Sequence, residues 1–345
     1  MKNILTLQNK ISPEDFAPLD ADYFKEESLN TEEIGYWKAS WMRLKSNKIA
    51  MAAMVMIVIM FLFAFIGPLL SPYSYDQQVR GDEALWPCLA HPFGTDRLGR
   101  DILVRCMIGT RISMIVGLVS AVIVMIVGSI YGAISGLIGG KTDIIMMRIV
   151  DIIYSVPEIL LIVVIKMVIS EPLQTLIDTV PMFHGLQKIG SGLIAIFIVY
   201  GCLYWVGMAR IVRGQILQLK TLDFVTAAEA LGCGRATMIK EHLLPNCIGQ
   251  LIATVMLQIP SAIFTEAFLS YLGIGVSAPM ASLGSLTSEA LNGITTYPYR
   301  VIFPAVLISL IILSFNLFGD GLRDALDPKM KKYQIDIYFP IGGFI

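Results

Sequence analysis

Six stretches of the chain are apolar over roughly 20 residues each, the length a helix needs to cross a bilayer, and polar segments separate them. Residues 49–70 form the first and carry no charge. Residues 112–138 form a second uncharged run. The third, 149–169, contains Asp151, Glu158 and Lys166. The fourth is 192–209, the fifth 247–271 with Glu266 inside it, and the sixth 301–318. The first run is too long for a cleavable signal peptide, and a largely polar tail of 48 residues precedes it. Six spans put both termini on one side of the membrane. The pattern therefore predicts an all-α polytopic membrane protein with six transmembrane helices.

Composition agrees. Of 345 residues, 55% are hydrophobic and 15% charged, and the mean hydropathy is +0.69. An average soluble domain is about 25% charged. Such a chain is too apolar for disorder. A net charge of −1 without a dominant basic stretch argues against nucleic acid as a partner. Five cysteines (88, 106, 202, 233 and 247) show no paired spacing, so a disulfide framework is not expected. No metal site is expected either. His91, His184 and His242 lie far apart, and Cys88 near His91 lacks further soft ligands.

Lysine and arginine set the sidedness. With the N-terminus cytoplasmic, the tails and the segments 139–148 and 210–246 hold eighteen of them, against seven in the outer segments. This predicts N-in, C-in. The first outer segment is the exception, with Arg80, Arg97, Arg100, Arg105 and Arg111, for which Asp76, Asp82, Glu83, Asp96 and Asp101 are candidate partners. The expected organisation is a cytoplasmic tail (1–48), a first helix (49–70), an extracytoplasmic loop (71–111), a five-helix core (112–318) and a cytoplasmic tail (319–345). In the first tail, Trp37 and Trp41 among Lys38, Arg43, Lys45 and Lys48 read as an interfacial helix in contact with lipid.

Two patterns inside the core concern packing. Gly128, Gly132, Gly136 and Gly140 recur every four residues and line one face of a helix, where another backbone can approach. Gly140-Lys141-Thr142 resembles the end of a phosphate loop, but Ser135 stands where that loop needs glycine and no strand precedes it. It reads as a turn between spans. The charges within spans invite a functional reading. Either Glu158 or Glu266 lines a solute pathway, or both pair with basic residues of neighbouring spans and hold the bundle. Lys166, near the outer end of its span, can snorkel. Residues 170–190 are expected to form a second outer loop with a short amphipathic helix.

Residues 210–246 are polar enough to leave the bilayer yet strongly patterned. Asp223 is placed to cap a short helix over 224–231. Gly232-Cys233-Gly234 ends it. A second helix is expected over 235–244, stopped by Pro245. The spacing Thr226-Ala227-Ala228, three residues, Gly232, nine residues, His242, one residue, Leu244-Pro245 resembles the EAA loop of ABC importer permeases, whose general form is Glu-Ala-Ala, x3, Gly, x9, Ile, x, Leu-Pro. Thr226 and His242 depart from it, a departure typical of the peptide-transport branch. Four further stretches resemble the C-type subunit of oligopeptide and dipeptide permeases. These begin at His91-Pro92-Phe93-Gly94-Thr95-Asp96, at Val150-Asp151, at Glu266-Ala267-Phe268-Leu269 and at Phe318-Gly319-Asp320.

This resemblance implies a type I ABC importer permease fold in the bacterial plasma membrane, with a cytoplasmic coupling helix. It implies one half of a pore, completed by a homologous B-type permease. Two ABC ATPase subunits, which bind ATP and Mg, would dock on the cytoplasmic side, and an extracytoplasmic peptide-binding protein would deliver oligopeptide. Thr226, Ala227, Ala228, Gly232, His242, Leu244 and Pro245 would then couple the ATPases to the spans. His242 reads either as a pH-sensitive group or as a hydrogen-bonding residue on a helix face. No catalytic arrangement and no cofactor are expected in this chain. Dipeptides, nickel or another small solute remain alternatives for the cargo, and a secondary transporter is the alternative class.

Overall fold

The computed structural model describes residues 35–188, 190–276 and 280–326. Among them every regular element is helical, with one isolated bridge between Thr95 and Asp101. Residues 1–43 form a separate unit, of which 35–43 are described. Helix α1 (Tyr36–Ser46) begins there, with Trp37 and Trp41 both exposed. The remainders of the two tails, including 333–345, lie outside the described residues.

Six helices are long and apolar enough to span a membrane: Lys48–Phe65, Ile102–Ile138, Glu158–Thr179, Ser191–Leu219, Arg235–Tyr271 and Tyr299–Leu326. Their borders differ from the expected ones for local reasons. Asn47 caps α2 (Lys48–Phe65), its side chain accepting from the Ile49 and Ala50 amides, and a short α3 (Gly67–Leu70) opens with Pro68. Helix α4 (Ile102–Ile138) starts ten residues before the apolar run, because the Asp101 carboxylate caps it by accepting the Val104 N–H at 2.8 Å. Its 37 residues extend about 55 Å, well beyond a hydrocarbon core of about 30 Å.

The third span needs the largest correction. The run 149–169 is not one helix. Residues before Pro157 avoid helical backbone, and Val156 is extended (φ −90°, ψ 137°). Helix α5 (Gly140–Ser155) therefore ends there, and α6 (Glu158–Thr179) restarts with Glu158 in its first turn, where a carboxylate meets the positive helix end. Asp151 lies outside the span, on α5. The expected outer loop shrinks, because α6 continues to Thr179 and a 3₁₀ segment (Pro181–Lys188) follows. The fourth span is α7 (Ser191–Leu203) and α8 (Trp205–Leu219), joined at Tyr204.

The glycine stripe packs α4 against α8. A Cβ on Gly128 would come 2.6 Å from the Met208 Cβ, one on Gly132 would meet the Ala209 carbonyl, and one on Gly136 would lie 2.9 Å from the Ile216 Cβ. Gly140 does not belong to this contact. It has φ +58° with open space around it, and with Gly139 (φ +67°) it makes the turn into α5. The principal apolar core joins α4 and α8 to α11 (Leu244–Tyr271) and α13 (Tyr299–Leu326), with Met208, Val212, Ile216, Leu251, Ile259 and Ile263 buried.

Candidate coupling helix and translocation cavity

Between α8 and α11 the chain leaves the span and returns within 25 residues. Leu222 is extended and α9 (Asp223–Ala230) follows, so Asp223 is the first helical residue rather than the cap. At its far end the Cys233 N–H bonds the Ala228 carbonyl and the Gly232 N–H bonds the Glu229 carbonyl. These two bonds are a Schellman cap. Gly232 sits at φ +81°, and a Cβ there would meet nothing within 4 Å, so conformation rather than space requires glycine. Val225 and Ala228 bury themselves in the core, whereas Phe224, Ala227 and Leu231, spaced i, i+3, i+7, are exposed. The two adjacent alanines therefore part company: Ala228 packs inward, and Ala227 sits with Thr226 on the open side.

The return to the membrane corrects a second expectation. Pro245 does not stop a helix. Helix α10 (Arg235–Thr237) runs through a π-helical turn (Met238–Leu243) directly into α11, with Pro245 in the first turn of α11. A proline inside a helix removes one N–H and crowds the carbonyl four residues back. Here the turn is widened, and the Leu244 N–H reaches the Ile239 carbonyl five residues back. Met238 and Leu243 are buried, Leu244 and His242 are half-buried, and Pro245 is exposed. The His242 carbonyl accepts from the Asn246 amide at 2.6 Å.

Polar contacts clamp this end of the bundle. Arg213 on α8 donates to both carboxylate oxygens of Asp143 on α5, at 2.7 and 2.5 Å, and the Ser135 hydroxyl adds a third bond at 2.6 Å. The bonds from Arg213, opposed by burial and aided by Ser135, hold the Asp143 carboxyl below its ordinary pKa. The Lys220 ammonium closes the C-terminus of α4 through the Leu137 carbonyl. Arg210 pairs with Asp151 at 2.7 Å and lies over the Tyr154 ring.

The break at Val156-Pro157 opens a cavity of about 530 Å³. Tyr154, Ser155, Glu158, Tyr204, Gln258 and Ser261 supply its polar wall. The Tyr204 hydroxyl is held by Thr265 at 2.7 Å and that of Tyr200 by the Ala262 carbonyl at 2.8 Å, which fixes two aromatic rings behind it. Glu158 is exposed at this cavity. Glu266 is not. It is fully buried and accepts from Ser113 on α4 at 2.9 Å and from Ser270 at 2.7 Å. Lys166 does not snorkel, since it is 2% exposed and donates to the Gly275 carbonyl at 2.7 Å.

Comparison with known proteins decides the family. Residues 128–332, more than half of the chain, match the family described as binding-protein-dependent transport system inner membrane component. The chain belongs to this family. Residues 35–92 match the N-terminal TM domain of oligopeptide transport permease C. The oligopeptide transport system permease protein OppC of Bacillus subtilis (strain 168) is 42% identical over 317 residues, covering 92% of this chain and 97% of the relative. The dipeptide transport system permease protein DppC of the same strain is 40% identical over 327 residues, covering 94% and 96%. The oligopeptide transport system permease protein OppC of Escherichia coli (strain K12) is 38% identical over 305 residues, covering 88% and 94%.

Family membership makes this a multi-pass permease subunit of the bacterial plasma membrane, not itself an enzyme. It also sets aside the secondary-transporter alternative. Within that frame, the fold places Thr226, Ala227 and Ala228 on α9, Gly232 in its cap, His242 in the wide turn, and Leu244 and Pro245 at the start of α11. It separates Glu158 from Glu266.

A polar cluster at the opposite end of the bundle was only partly visible in the sequence. Asp96 accepts from Arg100 and from Arg105, each at 2.6 Å, as expected of the first outer segment. Glu289, beyond that segment, completes the cluster by accepting from Arg105 at 2.9 and 3.2 Å and from Arg100 at 3.2 Å. Burial raises the Asp96 pKa, but the Arg100 amide and the charges of Arg105 and Arg100 outweigh it and leave the carboxyl below its ordinary value. His91 binds Asp101 at 2.8 Å and so supports the α4 cap. Arg111 donates to the Ala64 carbonyl at the end of α2.

Proposed function

We propose that this chain is the C-type half of the translocation pore of an ATP-driven oligopeptide importer, coupled to its ATPases through α9. One observation carries the coupling role. An eight-residue helix is anchored by buried Val225 and Ala228, tied to a membrane span on either side, and presents Phe224, Ala227 and Leu231 outward. A helix held at both ends moves only with the spans that hold it. An apolar strip on its free side suits a groove in a partner, with Ala227 allowing close approach.

In this reading both termini are cytoplasmic, as the lysine and arginine distribution supports. ATP and Mg bind to two partner ATPases. A B-type permease completes the pore along the side of α6, the least buried of the six spans. A peptide-binding protein delivers cargo at the end carrying Asp96 and Glu289. Lipid contacts the exposed apolar side chains of α2 and α13, among them Val55, Phe61 and Leu313. The cavity at the α5–α6 break is the part of the pathway this chain contributes, and Glu158 meets the peptide there. Oligopeptide cargo follows the name of the relative at 42% identity, whereas the dipeptide permease at 40% keeps shorter peptides as the second reading.

The test is purification of the chain from its own membranes in mild detergent, with mass spectrometry of what accompanies it. Two P-loop ATPases and a second permease are expected. A clean homo-oligomer overturns the proposal.

A further inference from the structure

At the end of the bundle opposite α9, a second cavity of about 420 Å³ lies between the first outer segment and α12 (Leu283–Ala290). Four arginines line it (Arg97, Arg100, Arg105 and Arg300) against two carboxylates, Asp96 and Glu289. Those carboxylates are already engaged by Arg100 and Arg105. Arg300 is different. It is 5% exposed, and among the described residues no carboxylate lies within ion-pair distance of it. Its Nε and Nη2 have no hydrogen-bond partner, and neither does Arg105 Nε. The guanidinium is held instead by aromatic faces, 4.2 Å from the Tyr297 ring centroid and 5.7 Å from that of Tyr299. Trp86 packs against both rings, and the Tyr299 hydroxyl is anchored on the Leu85 carbonyl at 2.6 Å.

A buried guanidinium without a counter-charge is costly. Cation–π contact returns only a small part of that cost. The aromatic frame fixes the fork in place, and the net charge of the cavity lining is positive. A planar carboxylate is the partner whose geometry matches that fork.

We propose that this cavity is a carboxylate-binding site centred on Arg300, with Arg97 at its rim. This rests on the importer reading for its position on the extracytoplasmic side, while the anion chemistry stands on the residues alone. The carboxylate has two sources: the free C-terminus of a peptide, or an acidic side chain of the docked binding protein.

The experiment uses the intact transporter in lipid nanodiscs, wild type and Arg300→Gln. Two probes are titrated. One is a tripeptide with a free C-terminus, set against its C-amidated twin. The other is the purified binding protein, before and after carbodiimide amidation of its carboxylates. Affinity for at least one carboxylate probe is expected to fall about tenfold in Arg300→Gln, with the amidated form of that probe insensitive to the substitution. A loss confined to the tripeptide names the free terminus as the source, and a loss confined to the binding protein names its side chain. Equal affinities of wild type and Arg300→Gln for both probes overturn the proposal. Arg300→Lys, which keeps the charge, guards against misfolding: partial rescue supports the site, and no rescue together with a lowered melting temperature of the complex assigns Arg300 a packing role and overturns it. Orientation is read separately. Cys88, exposed on the same outer segment, is labelled by an impermeant maleimide from outside if the importer reading holds. Labelling only from inside defeats that reading without touching the affinity result.

Discussion

Gly232 and Glu266 show two different reasons for a residue to be irreplaceable. At Gly232 the backbone is left-handed and the surroundings are empty, so Gly232→Ala meets conformational cost alone, about 1 kcal/mol. The chain should insert normally, while coupling falls, measured as loss of binding-protein-stimulated ATP hydrolysis. Normal transport by Gly232→Trp would sink the coupling role of this turn. At Glu266 the carboxylate accepts two hydroxyl protons inside the bundle, and a glutamine turns one of those acceptors into a donor, so one serine hydroxyl must reorient and lose its acceptor. Glu266→Gln should therefore lower the melting temperature of the assembled protein, at a cost of about 1–3 kcal/mol, and leave peptide preference unchanged. Glu158→Gln should do the reverse. An exposed charge pair is worth under about 1 kcal/mol, so competition between peptides with free and acetylated N-termini should shift by roughly fivefold at most, with stability intact. A change of preference in Glu266→Gln, and none in Glu158→Gln, would exchange their roles.

At the scale of elements, the clasp of Arg213, Asp143 and Ser135 ties α4, α5 and α8 together at the end that carries α9. The folded-state pKa of Asp143 is depressed, so its contribution is fully present above the unfolded value of 3.8 and is lost as pH falls through the lower folded value. Between pH 5 and 8 the clasp should not titrate. Arg213→Gln should lower stability across that range and flatten the acid limb of a melting-temperature profile relative to wild type. An identical acid limb in both proteins would remove Asp143 from the account. The elements themselves were largely legible. The apolar runs located five spans, although the helices begin or end up to twelve residues away from them, and a four-residue glycine repeat identified α4 as a packed helix. Two prolines mislead for different reasons. Pro157 divides an apolar run that looks continuous, because it holds Val156 extended, whereas Pro245 is carried inside a helix it is expected to end, because the π-helical turn before it makes room. Asp143, Arg213, Glu289 and Arg300 give no local signal, because each acquires its meaning from a side chain or ring that only folding brings near.

For the molecule as a whole, the two ends of the bundle differ in kind. The α9 end offers a short anchored helix with an apolar strip. The other end is a lattice of arginines and carboxylates. Arg100 and Arg105 sit in ion pairs, Arg300 in an aromatic frame and Arg111 at the end of α2. Breaking the lattice should therefore cost more than a surface salt bridge. Glu289→Gln removes one of the two carboxylates that Arg100 and Arg105 share, and should loosen the outer segment. Limited proteolysis near Cys88 should be faster in that variant, and unchanged cleavage would mean that Asp96 suffices alone.

The glycine contact between α4 and α8 has one more consequence. The glycines let the stems of Met208, Val212 and Ile216 and the Ala209 carbonyl of α8 sit directly on the α4 backbone, which leaves little room between the helices to absorb a displacement. Over the 15 residues of α8, about 22 Å, the two helices should therefore move as one. A displacement applied near Lys220 should be carried as far as Tyr204 and be taken up there and at Val156-Pro157, the break that borders the cavity of about 530 Å³.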